Sequence, residues 1–298
     1  MELRLLVTFV KVAEVLGFTQ AAAELKYAQS SVTAQIRSLE SSLGTELFDR
    51  LGSRIRLTEA GERLLPYARQ IIELADEARA AVAGAGEPEG TLTVGTVESV
   101  TSYRLPALLE LFHHRYPRVR LSLRPTLGDE TRQALRRGLF DIGFLLEERT
   151  EHPDLETEVL TAEPLTLVAA PGHPLAGRAA VATGDLAAVQ LVGTEPGCRY
   201  RDLFEEELCR LTGAPPPFME CGTIEAAKSA VASGLGIALL PRVAVARELA
   251  AGTLAALAWE PGFTLFTQLA WRRGKRLPGH ARLFVEQARR LVREQTAG

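Results

Sequence analysis

A run of small polar side chains with one guanidinium group carries the clearest chemistry in this sequence. Gln29, Ser30, Ser31, Thr33 and Arg37 all donate or accept hydrogen bonds. Base edges and phosphates in a DNA major groove offer the matching partners. The five sit in QSSVTAQIRSLESSLG, where Val32, Ile36, Leu39 and Leu43 recur at helical spacing on another face. An ordinary amphipathic surface helix shows the same spacing, so the weight rests on what precedes it. That is a short helix, QAAAEL, and a tight break at Lys26-Tyr27-Ala28, the spacing of a helix-turn-helix. Thr19 stands at the head of the short helix as an expected N-cap and a candidate DNA contact. Downstream, LFDRLGSRIRLT has two apolar stretches around Gly52-Ser53 and reads as a small hairpin wing. Arg50, Arg54 and Arg56 give it positive charge for backbone phosphates or the minor groove.

A second set of groups gathers where strands hand over to helices. In doubly wound domains ligands sit beyond the carboxyl ends of strands, near helix N-termini. Three such edges are visible: Glu98-Ser99-Val100-Thr101, the stretch from Thr194 to Tyr200, and Gly222-Thr223. Thr126 closes another strand beside them. Each hydroxyl is also an ordinary helix cap, and the two roles are compatible. Arg199 offers a cation for an acidic ligand, or a partner for a surface carboxylate. Cys198 opens a helix at TEPGCRYR beside Arg199 and Arg201. A helix N-terminus and nearby cations lower a thiol's pKa and favour the thiolate.

These groups need elements to hold them. Leu5, Phe9, Val12 and Leu16 make one apolar face of a first helix, which Gly17 stops. The helix carrying Arg37 ends at Gly44, a suitable residue for a left-handed C-terminal turn. From Thr58, an N-cap, a longer helix runs to about Val82. Its Leu64, Ala68, Ile71, Ala75, Ala78 and Val82 are spaced as a heptad seam, the mark of helix pairing. GAGEPEG at 84–90 reads as a hinge. Beyond it strands and helices alternate: TLTVGTV, then TSYRLPALLELFHHRYP, VRLSLRPT, ETRQALRRG and FDIGFLL. The pattern recurs through PLTLVAA, RDLFEEELCRLTG, FMECG, IEAAKSAVASG and GIALLP. This alternation argues for parallel α/β sheets, and about 200 residues of it suit two small lobes.

The bulk composition excludes more than it assigns. With 298 residues the chain exceeds one average domain. A formal net charge of -3 gives no general drive toward nucleic acid, so DNA contact must come from local placement. Residues 1–65 hold eight basic and eight acidic side chains, so affinity should rest on an oligomer engaging repeated half-sites. No stretch is apolar for long enough to span a membrane. MELRLLVTF lacks an apolar core followed by a small-residue cleavage site. The three cysteines, Cys198, Cys209 and Cys221, form no C-x-x-C pair. A reduced cytoplasmic protein without a cofactor or metal is expected. No enzyme motif is present: neither G-x-S-x-G, nor a phosphate-binding loop, nor G-x-G-x-x-G after a strand. His113, His114, His152, His173 and His280 show no metal-ligand spacing. A transport solute-binding protein would not carry the N-terminal helices. RRGKR at 272–276 reads as a solvated loop.

FTQAAAEL, QSSVTAQIRSLESSLGTELFDR and RLTEAG, in that order, resemble the LysR-type transcriptional regulators, and RYPRVRLSL, LRRGLFDIGF and AVASGLGIALLP extend the resemblance along the chain. It implies an N-terminal all-α winged helix-turn-helix over 1–58 and a linker or dimerisation helix over 59–84. It further implies a hinge at 85–90 and a two-lobed effector domain over 91–298, similar to periplasmic binding proteins of type 2. Lobe I would take about 91–161 and 267–298, and lobe II about 162–266. Operator DNA, a small polar metabolite, a second copy of the chain within a homotetramer built as a dimer of dimers, and RNA polymerase are the implied partners. The resemblance places Ser99, Thr101, Thr126, Cys198 and Thr223 in the effector cleft, to which Val100, Thr194 and Arg199 are added as neighbours. One departure is Ala34, where many members carry Arg. Peroxide-sensing members use a cysteine pair in the region of Cys198 and Cys209, which gives a redox alternative. Against it, eleven residues of helix span ~16 Å, far beyond disulfide reach.

Overall fold

The computed structural model describes residues 2–51, 54–83, 87–214 and 216–297, with the backbone alone at 50, 51, 54, 73, 76, 77, 79–83, 296 and 297. The chain divides into two compact units, Met1–Glu87 with Arg137–Leu139 and Pro88–Arg136 with Phe140–Gly298.

The first unit is a winged helix-turn-helix. Helix α1 (Leu3–Val15) buries Leu5, Leu6, Phe9 and Val12. Leu16 does not join that face: it ends the helix in a left-handed turn (φ 48°) and is exposed. Helix α2 (Phe18–Leu25) begins ahead of the expected cap. Gly17, not Thr19, is the N-cap, because Phe18 must enter the core edge-on to Phe48, with ring centroids 6.0 Å apart. Helix α3 (Gln29–Leu43) buries Val32, Ile36 and Leu39 and ends at Gly44 (φ 68°). Strands β1 (Phe48–Leu51) and β2 (Arg54–Leu57) pair antiparallel from Phe48 opposite Leu57 to Leu51 opposite Arg54. Residues 52–53, expected at the tip of the wing, lie outside the described residues. The Thr58 hydroxyl accepts from the Gly61 amide at 3.1 Å and donates to the Glu46 carbonyl at 2.8 Å, capping α4 (Glu59–Ala83) and tying it to the wing.

The expected seam on α4 divides. Ala68 is fully buried in the core of this unit, with Leu64, Leu65 and Ile72 packed beside it. Tyr67, Ile71 and Leu74 are exposed, and Ala78 continues their line. Ala75 is partly buried, and the side chain of Val82 lies outside the description. The apolar stripe free for a partner is therefore 67-71-74-78, which shares the spacing of the expected seam and only Ile71 and Ala78 of its residues.

The second unit holds two lobes. The first is built on β3 (Gly90–Thr96), α5 (Glu98–Tyr103), α6 (Pro106–Arg115), β4 (Val119–Pro125), α7 (Gly128–Arg136), β5 (Ile142–Glu147) and β6 (Leu155–Glu163). The chain then crosses to β7 (Leu165–Ala169), α8 (Thr183–Leu186), β8 (Leu191–Gly193), α9 (Arg199–Thr212), β9 (Phe218–Glu220), α10 (Ile224–Ala232), β10 (Ala238–Pro241), α11 (Arg242–Ala251) and β11 (Ala255–Ala256). It returns through β12 (Leu265–Arg272) and α12 (Gly279–Ala297).

The first sheet runs β4-β3-β5-β12-β6, and the second β10-β7-β11, extended to β8-β9 by a bridge between Leu191 and Ile237. Neither sheet is wholly parallel, as the alternation alone suggested. The returning β12 lies antiparallel between β5 and β6, and β7 lies antiparallel between β10 and β11. The run TSYRLPALLELFHHRYP is also two helices, because Pro106 breaks it and then starts α6 at its first turn.

Close packing sets the wall of the cleft. A Cβ on Gly95 would lie 2.4 Å from the Phe140 ring, and one on Gly143 2.5 Å from the Thr131 side chain. Only glycine lets α7 lie this near the sheet. The N-terminal end of α7 thereby reaches the space between the lobes.

Candidate nucleic-acid face and interlobe cleft

On the first unit, α3 turns its apolar residues inward and leaves Gln29, Ser30, Ser31, Ala34, Arg37 and Ser38 exposed. Gln29, Ser30, Thr33, Ala34, Arg37 and Ser38 line one shallow concave surface. Thr33 is partly buried and spends its hydroxyl on the Gln29 carbonyl at 3.0 Å, so its donor is already used. Arg37 makes no ion pair among the described residues, whereas Arg56 pairs with Asp49 across the wing at 2.9 Å. Thr19 is exposed in the first turn of α2. The side chains of Arg50 and Arg54 lie outside the described residues.

The N-terminus of α3 carries no side-chain cap at Ala28 and no acid in its first turn. The Gln29 and Ser30 amides have no partner among the described residues and can meet an anion, which the helix dipole favours there. Glu40, the acid of this helix, turns away and accepts from the Leu47 amide at 3.0 Å.

In the second unit a cavity of about 700 Å³ lies between the lobes. It brings together Ser99, Thr126, Thr194, Cys198, Arg199 and Thr223. Val100 does not reach it, being buried in the core of the first lobe beside Leu105 and Leu108. Thr101 turns back to the Thr96 hydroxyl and the Val97 carbonyl, each at 3.2 Å. One helical turn puts 99 and 101 on different sides, so a cluster of neighbours in sequence cannot all face one cavity. Thr223 caps α10 by accepting from the Ala226 amide at 3.1 Å, and Thr126 bonds Thr131, 2.7 Å between hydroxyls.

Charged side chains make up much of the wall, and Asp129, Arg132, Glu147, Glu148 and His152 among them were not anticipated from the sequence. Arg132 of α7 pairs with Glu147 and Asp129, and His152 sits 2.6 Å from Glu147. Arg199 pairs with Glu148, the second of the two roles open to it. Glu98 crosses from the first lobe and accepts from the Ile224 amide, at the head of α10, at 3.1 Å. Burial raises the Glu98 carboxyl above its ordinary value; the Ile224 amide opposes this, and the charges of Glu195 and Glu225 add to it. The available signal was position: each of these acids flanks a strand end or opens a helix, where it reads as a cap.

Of the two readings open to Cys198, a reactive thiolate or a residue lining the cleft, its surroundings oppose the thiolate. Burial pushes the thiol up to about 11, against hydrogen bonds from Thr194 and Tyr200. The two neighbouring cations are spent elsewhere, Arg199 on Glu148 and Arg201 on Glu220 and the Thr194 carbonyl. Alkylation of Cys198 in the native protein should therefore be slow at about pH 7.5 and accelerate as pH climbs toward 11. Peptide mapping after timed iodoacetamide treatment checks this, with urea-unfolded protein as the fast reference. Rapid native labelling near neutral pH would reinstate a reactive thiol.

A family model described as bacterial regulatory helix-turn-helix protein, lysR family, matches residues 3–62, and one described as LysR substrate binding domain matches 85–293. The chain is 41% identical over 294 residues to the HTH-type transcriptional regulator YwqM of Bacillus subtilis, covering 98% of this chain and all of that one. Among solved structures it is similar to a full-length cysteine-to-aspartate variant of OxyR from Pseudomonas aeruginosa, at 25% identity and a TM-score of 0.80, over 98% and 95% of the two chains. It is also similar to full-length CbnR complexed with its target DNA, at 28% identity and a TM-score of 0.60, over 98% and 100%.

Proposed function

The chain belongs to the LysR family of bacterial helix-turn-helix transcriptional regulators, and on that footing we propose that it holds operator DNA with the exposed face of α3 and reads a small molecule between its lobes. The observation that carries the reading is the free, acid-less N-terminus of α3 with Arg37 on the same polar face and no ion pair among the described residues to hold it. Free amides there suit a phosphate, which fixes register, while Arg37 reaches a base edge or a second phosphate. CbnR bound to its target DNA supports this use of the domain.

Arg37→Ala should weaken binding to an operator fragment recovered by selection from random DNA. The loss is about 1–3 kcal/mol if the guanidinium reads a base, with relaxed preference at that position. If Arg37 meets only phosphate, the weakening is uniform across sequences and the salt slope drops by about one. Mobility-shift titrations at several salt concentrations decide between them, and an unchanged titration removes Arg37 from the interface.

The protein acts as a dimer through the exposed stripe of α4, Tyr67, Ile71, Leu74 and Ala78. Large apolar side chains at heptad spacing, left uncovered in one chain, suit pairing with a second copy. Two recognition helices then meet two half-sites, which offsets the balanced charge of each DNA-binding unit.

A further inference from the structure

We propose that the ligand of the interlobe cleft is a small organic cation, an amine whose ammonium group is held by Glu195 and Glu98. This rests on the cleft being the effector site, as proposed for the second unit, and names the class of molecule it takes.

The wall of the cavity carries seven carboxylates and two guanidinium groups. Both guanidiniums are already neutralised, Arg132 by Glu147 and Asp129, and Arg199 by Glu148 and Glu206. That leaves Glu98, Glu130, Glu195 and Asp202 with no cation among the described residues. Two backbone amides that could receive an anion are occupied as well. Glu98 takes the first amide of α10, and Asp202 takes the Gly197 amide ahead of α9 at 3.1 Å. At α7 the helix supplies its own acids, Asp129 and Glu130, in the first turn. An anionic ligand would enter a chamber whose unpaired charges are negative.

A second observation concerns Glu195 itself. Its Oε2 atom is buried and has no hydrogen-bond partner. A carboxylate oxygen without a partner is costly, and Glu195 as a whole is partly exposed on the cavity wall, where a cation can reach it. The Glu98 carboxyl is raised chiefly by burial, with the charge of Glu195 adding to it. Among the described residues no group of three or more His, Cys, Asp or Glu side chains is placed to hold a metal ion. An ammonium has three donors, enough to bridge both carboxylates and reach the Ser99 or Thr194 hydroxyl on the same wall.

The test uses the full-length protein at fixed ionic strength, with putrescine, agmatine and spermidine as cations and succinate as the anion. At least one amine should raise the melting temperature with concentration and bind in calorimetry with an affinity that falls as salt rises. Glu195→Gln should weaken that binding about tenfold or more, and Glu98→Gln should weaken it too. Unliganded Glu195→Gln should melt no lower than the natural protein, since it removes a buried charge without a partner; this separates lost recognition from lost folding. Glu110→Gln, on the exposed face of α6, should keep the full amine response. Silence from all three amines overturns the proposal, as does an amine response that survives both cleft substitutions. If succinate stabilises the protein and the amines do not, the effector reading stands and the cationic class falls.

Discussion

Replacing Arg104 with methionine should destabilise the second unit by about 3–5 kcal/mol, read from urea unfolding of the full chain. Arg104 and Glu163 are 5% and 2% exposed at their side chains, and the guanidinium meets the carboxylate through two hydrogen bonds of 2.7 Å. The Thr267 hydroxyl donates a third, also 2.7 Å. Glu163 ends β6, where the chain leaves the first lobe, and Thr267 lies in β12, where it returns. The cluster therefore fastens both crossing strands at one point. A neutral side chain of similar volume at 104 leaves Glu163 buried with its charge uncompensated, which is where the cost arises. The double change Arg104→Met with Glu163→Met should recover most of the loss, because an apolar pair of similar volume can replace a buried ion pair. A double variant as unstable as the single one would locate the loss in packing instead. A single variant within about 1 kcal/mol of the natural protein, below the ~3–5 expected, would mean water reaches the site.

Leu74→Glu should convert the protein to monomers in sedimentation and weaken operator binding by roughly 10²–10⁴-fold. The second effect follows from the first, because linked half-site contacts raise each other's effective concentration. Leu74 is 63% exposed and Tyr67 64%, so a glutamate at 74 is solvated in the monomer and harmful only across an interface. Ala68→Glu is the contrasting change. Ala68 is fully buried beside α1, and a charge there should unfold the winged-helix unit itself. Dimeric Leu74→Glu protein with normal operator affinity would move the interface away from this stripe.

That contrast also marks where sequence reading stops. Stripes 64-68-71-75-78 and 67-71-74-78 have the same 4-3 spacing, and both are apolar. Only the docking of α4 against α1 decides which one is consumed by the core, and docking is not a local property of the helix. The recognition helix was legible because its signals are local: Val32, Ile36 and Leu39 repeat with the helix, and Gly44 ends it. Strands β6 and β12 were not legible. LETEVLTAE breaks alternation at Val159-Leu160, and neither it nor LFTQLAWR lies next in the chain to every strand it pairs with. The hydroxyls of the cleft were legible as caps at strand-to-helix edges. The carboxylates facing them were not, since an acid at a helix start satisfies local rules whether or not a cavity lies beyond it. Cys198 shows the same limit from the other side: its local surroundings predicted a thiolate, and burial, a tertiary property, reversed the direction.

The late return of β12 has a consequence for synthesis. The five-stranded sheet places β12 between β5 and β6, so until residue 272 has been made β6 has no partner strand and one edge of β5 stays open. At about 5–20 residues per second, the 125 residues from 147 to 272 take roughly 6–25 s to translate. The second lobe, a continuous segment, can collapse on the ribosome during that delay, while the first waits for the strand between β5 and β6 and for Phe284 of α12 to close over Phe112 and Phe144. Mistiming at this stage exposes an unpaired apolar strand edge, the kind of surface that recruits chaperones or aggregates. Changes that slow β12 should therefore lower the yield of soluble protein in cells more than they lower the melting temperature of what does fold.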